Sequence, residues 1–222
     1  MTALALSLNA LEFLKMTPFH WRIIQNEVPL VLRPMVRSHA VLAKLQVAAA
    51  VTLLAFPLSP AILILFFTHW FLNLRWRGVF NGGSSRMLAQ ILFALAFTFL
   101  AGPATAHIAL IYIGIVATLS YFVAGVSKAR QSRWWNGAEL RSILNFYGKS
   151  IPWSPAISIG VLAWEILFPV FLILPTTSLA ALSMGVLFHL INYFYFSLNR
   201  FFFAWIATYP AIYYLSVSFS TR

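Results

Sequence analysis

The chain has 222 residues, of which 61% are hydrophobic and only 9% charged. That balance excludes an ordinary soluble domain, and the lack of cysteine excludes disulfides, thiolate metal sites and cysteine nucleophiles. A formal net charge of +11 would suggest nucleic acid in a soluble chain, but here the cations flank apolar segments. Anionic lipid and topology account for them, and no nucleic-acid partner is expected.

In chain order, residues 1–37 read as an N-terminal interfacial segment, and 38–222 as one transmembrane domain. MTALALSLNALEFLKM interrupts its apolar positions with Asn9, Glu12 and Lys15, the pattern of an amphipathic helix on a membrane surface. The first span is expected near Ala40–Phe56, closed by Pro57 and Pro60, and the second near Ala61–Leu74. The polar loop RWRGVFNGGSSR follows, with a turn at Asn81-Gly82-Gly83. The third span is expected near Met87–Ala101 and the fourth near Ile108–Val126. A polar interval over 129–152 contains a turn at Asn136-Gly137 and a short interfacial helix near 138–147. The fifth span (Ala156–Leu174), sixth (Leu179–Ser197) and seventh (Phe201–Phe219) complete an all-α polytopic bundle of about seven spans, six if one short segment fails to cross.

Loop charges orient it. Numbered alternately, the N-terminal side receives Lys15, Arg22, Arg33, Arg37, Lys44, Arg75, Arg77, Arg86, Lys128, Arg130, Arg133, Arg141, Lys149 and Arg200, and the other side only Arg222. The positive-inside rule then places the N-terminus in the cytoplasm and the C-terminus outside.

Two groups stand out chemically. Lys128 is the first charge after a long uncharged run, and Gly114, Ala117, Thr118, Tyr121 and Gly125 precede it at three- and four-residue spacing. That spacing sets them on one helix face, read here as a narrow groove leading to an ammonium group. The alternative is a lysine snorkelling at the membrane edge. Glu165 lies inside the fifth span, where a carboxylate needs a partner or a proton. His69, beside Asn73, and His189, beside Asn192, are its expected partners; a structural bond between helices and a polar functional site both remain open. Two histidines and a carboxylate also suit a metal, but no spacing supports one and no metal site is assigned. Trp134, Trp135 and Trp153 suit the headgroup layer.

YFVAGVSKARQSRWWNGAELRSIL (121–144) resembles the signature segment of the HTTM membrane-domain family, which includes vitamin K-dependent γ-carboxylase. FHLINYFYFSLNRFFFAWIATYPAIYY and HWFLNLRWRGVFNGGSSRMLAQILFALAF resemble two further segments of that family, in the family's order. The resemblance implies that Lys128 is the base that starts oxygenation, with His189 and Glu165 as further catalytic candidates. It implies a reduced quinone as cofactor, near Tyr121, Gly125, Trp134, Trp135 and His69. The chain lacks the large extramembrane region of the carboxylases, and its Lys128 is expected on the cytoplasmic side, whereas carboxylase chemistry faces the lumen. In size it is nearer to short bacterial SdpB-like members, whose role is maturation of secreted peptide toxins. The resemblance thus implies modification of a secreted peptide; membrane lipid, read from the basic flanks of the apolar segments, is the second partner expected. A non-enzymatic chaperone or immunity partner, and a lipid or quinone carrier, stay open as alternatives, as does the oligomeric state.

Overall fold

The structure is a computed structural model that describes residues 1–15, 38–57, 59–74 and 83–220. Among them every regular element is helical. The order is α1 (Thr2–Leu14), α2 (His39–Ala55), α3 (Ala61–Leu74), α4 (Gly83–Ala101), a 3-10 turn at Pro103–Thr105, and α5 (Ala106–Ala129). Then come α6 (Ser132–Trp135), α7 (Ala138–Phe146), α8 (Ser154–Phe171), α9 (Pro175–Phe196), α10 (Asn199–Ile206) and α11 (Tyr209–Ser220). Much of the N-terminal interfacial segment (16–37), its boundary with the rest, the turn at Asn81-Gly82 and the terminal Arg222 lie outside the described residues.

Five stretches are long and apolar enough to cross a membrane: Gly83–Ala101, Pro103–Ala129, Ser154–Phe171, Pro175–Phe196 and Asn199–Ser220. The chain is therefore a membrane-type helical protein. α1, α2 and α3 are apolar but shorter. The last stretch is divided into α10 and α11 ahead of Pro210, whose missing N–H is tolerated in a first helical turn. The short helix expected at 138–147 is α7.

The helices form two compact units. The first comprises residues 1–110 and 198–208, the second residues 111–197 and 209–222.

In the first unit, α1 packs against α2 and α10 through a core rich in alanine. Ala3, Ala5, Leu6, Ala49, Ala50, Leu65, Leu88, Leu92 and Ala204 are all buried there. Without a hydrophobic drive between helices in lipid, small side chains that let backbones approach supply the packing. Gln46 Nε2 donates to the Leu6 carbonyl at 2.9 Å, and Arg200 bridges to Asn9 and, at 3.1 Å, to Glu12. The side of α1 turned away from this core shows Leu4, Leu11 and Leu14 together with Glu12 and, at its end, Lys15.

In the second unit, α5, α8, α9 and α11 surround a buried aromatic centre. α5 meets α8 at Gly125, where a side chain would lie 2.9 Å from Glu165 Cβ and 2.8 Å from Ile166 Cγ1. Ala117 is fully buried, and Thr118 and Tyr121 nearly so. The small-residue face of α5 is therefore a packed seam and not the open groove its spacing suggests. Small residues let helices close on each other, and a neighbouring helix fills the space they leave. Ser216 Oγ on α11 donates to the Leu172 carbonyl at the end of α8 at 2.8 Å.

Candidate functional site

Gly125 sets the register of the site. Because it lets α5 and α8 touch, the side chain one turn further along α5 arrives beside Glu165. That side chain is Lys128. Its Nζ donates to both carboxylate oxygens of Glu165, with the bond to Oε2 at 2.6 Å. The Glu165 side chain is 5% exposed and that of Lys128 24%. Glu165 is thus buried and partnered, as the cost of an unpaired carboxylate requires. The partner is Lys128, where the sequence pointed to His69 or His189.

The Trp134 ring centroid lies 5.3 Å from Lys128 Nζ, within cation–π range. Two bonds fix the backbone on which Trp134 and Trp135 stand. Ser158 Oγ on α8 donates to the Trp134 carbonyl at 2.5 Å, and Trp135 Nε1 donates to the Ala129 carbonyl at 2.7 Å. The chain then turns at Gly137, whose φ is +69° and whose backbone lies against Ser154 and Pro155. Arg141 Nη1 donates to Ser154 Oγ at 3.0 Å, which fastens α7 to the start of α8.

Two turns back along α5, roughly 10 Å along the axis, Tyr121 forms a second polar node. Its hydroxyl lies 2.6 Å from His189 Nε2 and 3.2 Å from the Tyr209 hydroxyl. Aromatic rings enclose it, with Trp164 and Phe168 centroids at 5.0 and 4.3 Å. Tyr121 and His189 are therefore brought together, on α5 and α9. His69 belongs to the first unit, where its Nε2 lies 3.0 Å from the Ser85 carbonyl and Asn73 donates to its backbone.

Tyr209, Ser158 and Trp164 join these nodes without a signal in the sequence that singles them out. Trp164 and Phe168 flank Glu165 at helical spacing and read as ordinary apolar positions. Ser158 and Tyr209 acquire their partners only through packing. Among the described residues no group of three or more His, Asp, Glu or Cys side chains is placed to hold a metal.

The Lys128–Glu165 pair is net neutral whether the proton they share sits on nitrogen or on oxygen. Moving that proton between them leaves the pair neutral, whereas giving it up leaves a carboxylate charge and gaining a second proton leaves an ammonium charge. A cleft of about 320 Å³ also lies in this unit, lined by Thr118, Leu119, Pro169, Leu172, Leu215 and Phe219 among others. Its one hydroxyl, on Thr118, is committed to the Gly114 carbonyl at 2.7 Å. Thr118 lies ten residues before Lys128, about 15 Å along the helix. This cleft suits an apolar chain but gives a quinone ring no seat beside Lys128.

Compared with known proteins, the chain matches no family model, no curated protein and no solved structure.

Proposed function

We propose that this is an HTTM-type integral membrane protein that modifies a secreted peptide during its maturation, with Lys128 as the base. The observation that carries the reading is the setting of Lys128. A membrane-edge anchor extends its ammonium toward water. This lysine instead turns inward onto a buried carboxylate and lies within cation–π range of Trp134, whose backbone carbonyl is held by Ser158. Acting as a base, Lys128 would first give one proton of the pair to water, then take a proton from the substrate as a free amine, and the Glu165 carboxylate would hold the resulting ammonium as the ion pair. Trp134 would order the approach to the amine.

Replacing Lys128 by arginine keeps the charge and the bonds to Glu165 but removes the base, because a guanidinium holds its proton at any useful pH. The variant is expected to reach wild-type levels in membranes and to abolish production of the mature peptide in cells. Full production would reject Lys128 as a base.

In the same reading the chain crosses the bacterial cytoplasmic membrane seven times, with the N-terminus inside. The five long stretches are joined by α2 and α3. At 14 residues α3 is about 21 Å long, so the bilayer thins locally around it. A periplasmic reporter fused at residue 140 should be silent, and activity there would contradict this orientation.

A further inference from the structure

The segment from Arg130 to Trp153 joins two membrane-length helices, yet it does not fold its apolar side chains away. Phe146 is 84% exposed, Trp153 73% and Trp135 51%, with Tyr147 also exposed. These four side chains come from three separate places in the segment. All of them cluster at one end of the second unit. Trp135 is bonded to the last turn of α5, Trp153 stands at the N-cap of α8, and Tyr147 packs on Phe196 at the end of α9. Aromatic side chains repeated at the ends of several spans mark a lipid–water boundary.

Cations accompany them. Of the basic groups here, Lys128 is taken up by Glu165 and Arg133 by Glu139. The remaining three are Arg130, Arg141 and Lys149. No carboxylate pairs with any of them among the described residues. Arg141 gives one N–H to Ser154, and Lys149 lies 6.0 Å from the Tyr195 ring centroid. α7 holds the arrangement rigid: Leu144 is buried beneath it while Arg141, Ser142 and Asn145 face outward. Exposed rings in search of an apolar layer and unneutralised cations beside them fit one environment, a bilayer surface bearing anionic headgroups.

We infer that residues 130–153 form an interfacial collar that binds anionic phospholipid, with Arg130, Arg141 and Lys149 on the phosphates and Trp135, Phe146, Tyr147 and Trp153 in the boundary layer. This does not depend on Lys128 acting as a base, so either idea can fail alone.

The cysteine-free sequence makes the test clean. The full chain carrying Asn145→Cys is labelled with a fluorophore and placed in nanodiscs of phosphatidylcholine, with or without phosphatidylglycerol. With phosphatidylglycerol present, the label should be shielded from iodide and quenched by lipid-borne bromine. Removing the cations (R130Q, R141Q, K149Q) should lower phosphatidylglycerol retention, read by native mass spectrometry. The expected loss is roughly fivefold in affinity per cation, which is what about 1 kcal/mol per basic residue at an anionic surface corresponds to. Equal iodide access in both lipid compositions, or unchanged retention in the triple variant, would overturn the inference. Equal access would leave this surface to a protein partner.

Discussion

Replacing Lys128 by alanine is expected to destabilise the protein by about 3–5 kcal/mol, the loss found when one partner of a buried pair is removed. Replacing Glu165 by alanine should cost less than half as much. The two losses differ because the two ends are not equally buried. Without Lys128, the Glu165 carboxylate is left 5% exposed and unpaired between α5 and α8. Without Glu165, the lysine is already 24% exposed, and its flexible stem can carry the ammonium out to the headgroup layer. The double replacement K128L/E165L should recover most of the K128A loss, because an apolar pair in such a site often equals or exceeds an ion pair. Unfolding curves in mixed micelles check all three. Equal losses for the two single variants, or no recovery in the double, would mean that the pair is not buried as described.

The second large effect is expected at Gly137. Its φ of +69° is one that side-chain-bearing residues reach only with strain, about 1–2 kcal/mol. A Cβ there would also lie 2.5 Å from Pro155 N and 2.6 Å from Ser154 C. Those are backbone atoms and cannot swing aside, so overpacking adds about 1–3 kcal/mol. Gly137→Ala should therefore cost about 2–5 kcal/mol and push α6 and α7 away from the start of α8. With them goes the Ser158 bond that holds Trp134 beside Lys128. Gly148 supplies the control. Its φ is +65°, but a Cβ there meets nothing within 4 Å. Gly148→Ala should show the strain alone, the smaller effect. Hydrogen exchange over residues 131–150 would read both. Equal protection in the two variants would contradict the contact at Gly137.

Lys128 and Glu165 are both legible in the sequence. One is the first charge after the uncharged run 87–127, and the other is a carboxylate inside an apolar span. Their pairing is not legible. The two residues are 37 positions apart, and they meet only because Gly125 sets how far α5 and α8 slide on each other. Hydrophobic periodicity reports which face of a helix is buried but carries no information about that sliding. The same limit hides Tyr209 as a partner of Tyr121, since it stands beside Pro210 and looks like part of an ordinary span. It also explains the misread groove. Gly114, Ala117 and Gly125 leave room on one face, and only the neighbouring helices decide whether the room stays open. Helix positions were readable more directly. Pro155 and Pro175 start α8 and α9, where a missing N–H costs little. The division of the last span into α10 and α11 has Pro210 as its visible cause.

The central claim is that Lys128 performs chemistry on a secreted peptide, and peptide masses test it most directly. The protein is purified from membranes of cells making either the wild-type chain or Lys128→Arg, at matched levels. Peptides that co-purify, and those released to the medium, are compared by mass spectrometry. The account predicts a peptide whose mass is shifted in wild-type cells and unshifted, though still bound, with the arginine variant. The same peptide masses in both would contradict it.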